Sequence, residues 1–137
     1  MKSNIIVSIF VFLSFVVGCN KNETPTSSID ISGEYQYKGY DLQNNIVSSG
    51  ILKIVINGKE ISGTKNLTGN DGENGEGEIS GYIEDNGDIT IYLNPNSVYQ
   101  IVLKGNRSDG LITGDRLSNR GPANIKQGTF KALKIQL

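Results

Sequence analysis

From Ile31 to the end of the chain, apolar and polar residues alternate, and no stretch keeps a helical period long enough to form a helix. β-Branched residues and tyrosine are frequent, and glycine and asparagine punctuate the alternation every eight to twelve residues or so. A period of two puts successive side chains on opposite faces, so each segment can bury one face and wet the other. Eight strands are expected, at roughly 32–41, 47–56, 59–67, 76–84, 88–93, 99–105, 110–117 and 128–136. An even number of short strands joined by tight turns suggests an all-β, eight-stranded antiparallel up-and-down barrel, because closure leaves no edges. A β-sandwich is the alternative.

A tripeptide recurs as Ile31-Ser32-Gly33, Ile61-Ser62-Gly63, Ile79-Ser80-Gly81 and Ile112-Thr113-Gly114, without a fixed period. Glycine inside a strand marks a bend or a close backbone approach. In a small barrel it lets strands coil tightly.

Turn signals set a register. Asn57-Gly58 as a two-residue turn opposes Ile54 to Ile61 and Leu52 to Gly63. A three-residue loop at Asp85-Asn86-Gly87 opposes Ile83 to Ile89 and Ile79 to Leu93. The same logic opposes Leu93 to Tyr99, Ile91 to Ile101, Leu103 to Ile112 and Ile101 to Gly114. The inward set is then Tyr35, Tyr37, Leu52, Ile54, Ile56, Ile61, Ile79, Ile83, Ile89, Ile91, Ile101, Leu103, Ile112 and Phe130. Lys131 and Lys134 obscure the phase of the last strand.

Short turns at 57–58, 85–87 and 106–109 fall at one end of this meander, and loops at 42–46, 68–75, 94–98 and 118–127 at the other. Two of the latter are long, and loops on a rigid scaffold are where binding concentrates. The inward register brings Lys65, Tyr99 and Arg116 to that end, with Tyr37 nearby. Two cations and two phenols suit an anionic or polar ligand. The plainer reading is that long cationic side chains bury their stems and reach water at the barrel mouth.

The loop Asn70 to Glu78 carries four acids among glycines. Asp71, Glu73 and Glu76 are candidate oxygen ligands for calcium. Their spacing does not match an EF-hand, and a solvated loop is the plainer reading. Seven acids and no base lie between Lys65 and Lys104, whereas seven bases and two acids follow from Lys104 onward. This sorting gives one acidic and one basic wall, which steers a partner or serves solubility. Arg120-Gly121-Pro122 in the last loop is a further contact candidate, or a plain crossover.

Catalysis has little to rest on. The chain has no histidine and one cysteine, and no G-x-S-x-G motif appears. The acids cluster in turns, where no burial is expected to shift a pKa. No cofactor is implied. A net charge of −1 argues against nucleic acid.

The N-terminal segment gives an address. Met1 to Asn4 is short and basic, Ile5 to Val17 is apolar apart from Ser8 and Ser14, and Gly18 precedes Cys19. The apolar run is too short to span a membrane, which takes roughly 20 residues. The segment resembles a bacterial lipoprotein signal peptide, with Val16 and Val17 where that family has leucine and a small residue. The resemblance implies lipidation of Cys19, cleavage before it, and a membrane partner held through acyl chains. Residues 1–18 are then the signal peptide, 19–30 a flexible polar tether and 31–137 the barrel domain, expected as a monomer. Asn20 after the cysteine fits sorting to the outer membrane, again by resemblance.

Three barrel stretches resemble the calycin group of lipocalins, avidins and related small barrels. Ser32-Gly33-Glu34-Tyr35 is similar to their Gly-x-Trp start, with tyrosine for tryptophan. Glu78-Ile79-Ser80-Gly81-Tyr82 resembles an avidin-type strand, and Gly128-Thr129-Phe130-Lys131-Ala132 a closing strand. Tryptophan is absent, so the avidin biotin cage does not carry over. The function expected is a non-catalytic binding or interaction barrel in the envelope, meeting an envelope protein or a small anionic or polar ligand at the long-loop end. An inhibitor-like barrel for an envelope enzyme, or a lipocalin-like carrier, is the alternative.

Overall fold

The computed structural model describes residues 30–69, 73–119 and 123–136. The signal peptide with Cys19, residues 20–29 of the tether, Asp71 and the Arg120-Gly121-Pro122 stretch lie outside them. Eight strands form one closed antiparallel barrel in chain order: β1 Gly33–Asp41, β2 Ile46–Asn57, β3 Glu60–Gly69, β4 Gly75–Ile83, β5 Ile89–Leu93, β6 Gln100–Ser108, β7 Leu111–Asn119 and β8 Ile125–Lys134. The pairing of β1 with β8 closes the ring and rules out the sandwich. The architecture is consistent with a calycin-like barrel.

The strands bury their inward residues, and β5 and β6 bury Thr90 and Val102 on the outer face as well. Tyr35, Tyr37, Leu52, Ile54, Ile61, Ile79, Ile89, Ile91, Leu103, Ile112 and Phe130 form the core, with Ile56, Ile83 and Ile101 packed against it. Ile31, Leu67, Leu93 and Ala132 complete it. On β8, Gly128, Phe130 and Ala132 face inward and Lys131 and Leu133 outward. The alternation there is clean after all.

The glycines make room for this core. Ile61 pairs with Gly81, and Gly63 with Ile79, so two Ile-Ser-Gly tripeptides interlock with each isoleucine against a glycine of the neighbouring strand. A Cβ on Gly63 would lie 1.8 Å from the carbonyl oxygen of Lys53, and its φ of +149° is one that side chains disfavour. On Gly50 a Cβ would lie 2.1 Å from the Asn66 carbonyl oxygen. Large inward side chains are accommodated because the strands approach closely where the inward side chain is missing.

Three connections differ from the sequence register. The β2–β3 turn is Gly58-Lys59, which pairs Asn57 with Glu60, Ile54 with Gly63 and Leu52 with Lys65. Gly58 takes a positive φ of 63° at the first turn position, as a II′ hairpin requires. The β6–β7 turn is Asp109-Gly110, both with positive φ, and it pairs Leu103 with Arg116 and Gly105 with Gly114. Leu93 pairs with Ile101, and Ile91 with Leu103, rather than with Tyr99 and Ile101. The Asp85–Gly87 loop opposes Ile83 to Ile89 and Ile79 to Leu93 as expected. All the slips are by an even number of residues, so no side chain changes face. Because β3, β4, β7 and β8 run past their expected ends, the two long loops shrink to residues 70–74 and 120–124.

The chain entry seals the short-turn end. Ile31 is fully buried there. The Tyr35 hydroxyl donates to its carbonyl at 2.8 Å, the Ile56 N–H donates to Ser32 Oγ at 3.1 Å, and the Arg107 guanidinium donates to the Asp30 carbonyl at 2.9 Å.

Candidate functional site

The opposite end carries a buried polar layer. Tyr37 on β1, Ser48 on β2, Lys65 on β3, Arg116 and Ser118 on β7, and Glu73 from the β3–β4 connection are all buried. The strand residues arrive by alternation: Tyr37 lies two positions beyond Tyr35 on the inward face, and Arg116 is brought opposite the inward Leu103. Three of the four residues singled out at the mouth, Tyr37, Lys65 and Arg116, are therefore gathered together.

Glu73 occupies the space they surround. Arg116 Nε donates to both Glu73 carboxylate oxygens at 3.2 Å, and the Tyr37 hydroxyl lies 3.4 Å from Oε1. Lys65 Nζ donates to the carbonyl of Glu73 and to that of Gly75 at 3.1 Å, with Asn74 O at 3.4 Å. Loop backbone and loop side chain thus satisfy both cations. The Ser48 hydroxyl, buried in the same layer, has no hydrogen-bond partner among the described residues.

The electrostatics follow from burial. Desolvation pushes the Tyr37 phenol well above its ordinary pKa, the Glu73 charge adds to this, and Arg116 opposes it. Desolvation lowers the Lys65 pKa, and the Glu73 charge works against that. A neutral phenol, a guanidinium and a carboxylate together form one hydrogen-bonded network centred on Glu73.

Tyr99 does not join this layer. The two-residue slip at β5–β6 places it just before β6, in the 94–99 loop, where it is 61% exposed and its N–H donates to Ser97 Oγ at 3.2 Å. The candidate calcium ligands are also separated. Glu73 turns inward to Arg116, while Glu76 points outward from β4 and receives the Asn66 amide at 3.3 Å. No group of three acidic, histidine or cysteine ligands is arranged for a metal among the described residues. The expectation that turn acids stay solvated fails at Glu73. The signal for it was present: two inward cations at one barrel end call for a counter-charge, and the adjoining loop is rich in acids.

Exposed apolar side chains gather at the same end, outside the layer. Leu42, Ile46, Val98, Tyr99 and Ile125 all lie at the loop ends of their elements. Sequence patterning missed them, because single apolar residues at strand ends carry no periodic signal. The chain matches no protein-family model, and no curated protein and no solved structure is significantly similar to it.

Proposed function

We propose that the protein is a lipid-anchored, non-catalytic interaction barrel of the bacterial envelope, held in the outer membrane through acylated Cys19 and meeting a protein partner at its loop end. The observation that carries this reading is the division of the loop end into a spent interior and an available rim. Inside, the cations that would hold a small anion are engaged by Glu73 and loop carbonyls. Outside, Leu42, Ile46, Val98, Tyr99 and Ile125 offer apolar surface on strand ends and the loops beside them. A carrier in lipocalin style finds less support, since Glu73 sits where its ligand would enter.

The anchor supports the same orientation. Asp30 and Ile31 lie at the short-turn end, so the tether joins there. The loop end then points away from the membrane on average. Incorporation of labelled palmitate that disappears in Cys19→Ala tests the anchor. A photo-crosslinking residue at Val98 or Leu42, compared with one at Val55 near the opposite end, tests the rim in intact cells. Discrete adducts from the first two and none from the third are expected. Adducts from all three alike, or from none, overturn the rim as the contact surface.

A further inference from the structure

We infer that the first half of β4 is a docking edge for an extended basic segment of a partner protein, added as a strand beside Glu76 and Glu78. This rests on the interaction reading above and names the partner's chemistry. β4 pairs with β3 all the way from Gly75 to Tyr82, but with β5 only from Ile79 to Ile83. Gly75 to Glu78 therefore have a strand neighbour on one side alone.

The backbone direction on that stretch is set by the ladder alternation. Ile83 N–H donates toward β3, to Lys59 O at 2.8 Å, and Glu84 N–H toward the β5 side, to Asp88 O at 2.8 Å. Odd residues of β4 thus address β3 and even residues address the other side. Glu76 and Glu78 turn their peptide groups toward the place where β5 has ended. The chain's own continuation turns away after Asn94, whose amide oxygen lies 3.1 Å from where a Cβ on Gly77 would stand: Asn94 adopts a positive φ of 59° and Pro95 has no N–H to give. A hollow of 450 Å³ lined by Glu78, Asn94, Pro95, Asn96 and Ser97 lies in its stead. On the other flank, an outer cleft of 680 Å³ is bordered by Glu34, Lys53, Glu76 and Glu78. Glu78 borders both.

Charge commits the occupant. Glu34 is paired with Lys53 at 2.8 Å, whereas Glu78 makes no ion pair among the described residues and Glu76 receives only an amide. No base lies between Lys65 and Lys104, and Lys65 is buried. An added strand directly opposite Glu76 and Glu78 would point the facing side chains outward, beside the two carboxylates. Its intervening residue would point inward, opposite Gly77 and beside the Asn94 amide and the Lys65 stem, which leaves room for a small side chain. The motif that fits is basic–small–basic in extended form, with main-chain hydrogen bonds giving affinity and the acids giving selectivity. Val98 and Tyr99 on the bordering loop add apolar contact.

The test uses the full chain in detergent and three capped pentapeptides: Thr-Lys-Ala-Lys-Thr, the same peptide N-methylated at both lysines, and Thr-Glu-Ala-Glu-Thr. The first is expected to slow hydrogen exchange at the Glu76 amide on the order of tenfold at saturation, and the other two to leave it unchanged. Glu76→Lys with Glu78→Lys is expected to abolish the slowing without moving the unfolding midpoint, since both side chains lie outside the core. No slowing by the first peptide, equal slowing by the glutamate peptide, or slowing that survives N-methylation overturns the inference. Crosslinking at Val98 that persists while the peptide fails removes the β4 edge and leaves the interaction reading standing.

Discussion

Arg116 Nε lies 3.2 Å from both carboxylate oxygens of Glu73, and both side chains are buried at the barrel mouth. An ion pair in that setting contributes little net stability, because desolvating two charges costs about what their attraction returns. Breaking it from one side is another matter, since a lone charge then stays buried. Glu73→Leu or Arg116→Met is expected to lower unfolding free energy by about 3–5 kcal/mol. The double substitution Glu73→Leu with Arg116→Met is expected to recover most of that loss. Urea unfolding of the four proteins checks it through the coupling term.

The buried Ser48 hydroxyl makes the opposite prediction. It is buried and has no hydrogen-bond partner among the described residues. Ser48→Ala is expected to raise stability by about 1 kcal/mol. A loss of similar size in the same urea experiment would show that the hydroxyl is engaged.

Tyr37 sets a limit on the alkaline side. Its folded-state pKa is raised, first by desolvation and then by Glu73, so the folded state holds its proton where the unfolded state releases it. Its contribution is complete below the ordinary tyrosine pKa of about 10 and is lost as pH rises beyond it. Lys65 works in the other sense, because its lowered pKa makes the unfolded state the stronger proton binder below the usual lysine value. Comparing wild type with Tyr37→Phe isolates the phenol. The gap between their unfolding midpoints should change steadily above pH of about 10, to the disadvantage of wild type, and stay constant below.

The interlocked tripeptides predict a sharp contrast between glycines. Gly63→Ala forces a methyl to 1.8 Å from the Lys53 carbonyl oxygen and should prevent the barrel from closing. At Gly58 nothing lies within 4 Å, and Gly58→Ala should cost only the left-handed strain of its φ, about 1–2 kcal/mol. Circular dichroism and thermal unfolding of the two variants distinguish them.

Much of this barrel is legible in the chain because its inner face is a core and its outer face is not. Alternation assigns Tyr35, Tyr37, Leu52, Phe130 and their companions inward, and glycine marks where strands approach. Register is less legible. Moving Gly58 from second to first turn position, or Leu93 from Tyr99 to Ile101, slides a strand by two and leaves every face unchanged. That same slip carries Tyr99 out of the mouth while Lys65 and Arg116 stay in it. Glu73 is harder to read for a different reason. A glycine- and acid-rich loop reads as solvated by composition, and only the two inward cations it meets give the carboxylate a reason to be buried.

The central claim is that the mouth is occupied from within and that contact is made outside it. The most direct measurement is the ¹⁵N resonance of Arg116 Nε, titrated with acetate in wild type and in Glu73→Gly. With Glu73 in place the resonance should not move, and in Glu73→Gly it should shift saturably as the added carboxylate takes the vacated position. A saturable shift in the wild-type protein would contradict the account, because the guanidinium would then be open to an outside anion.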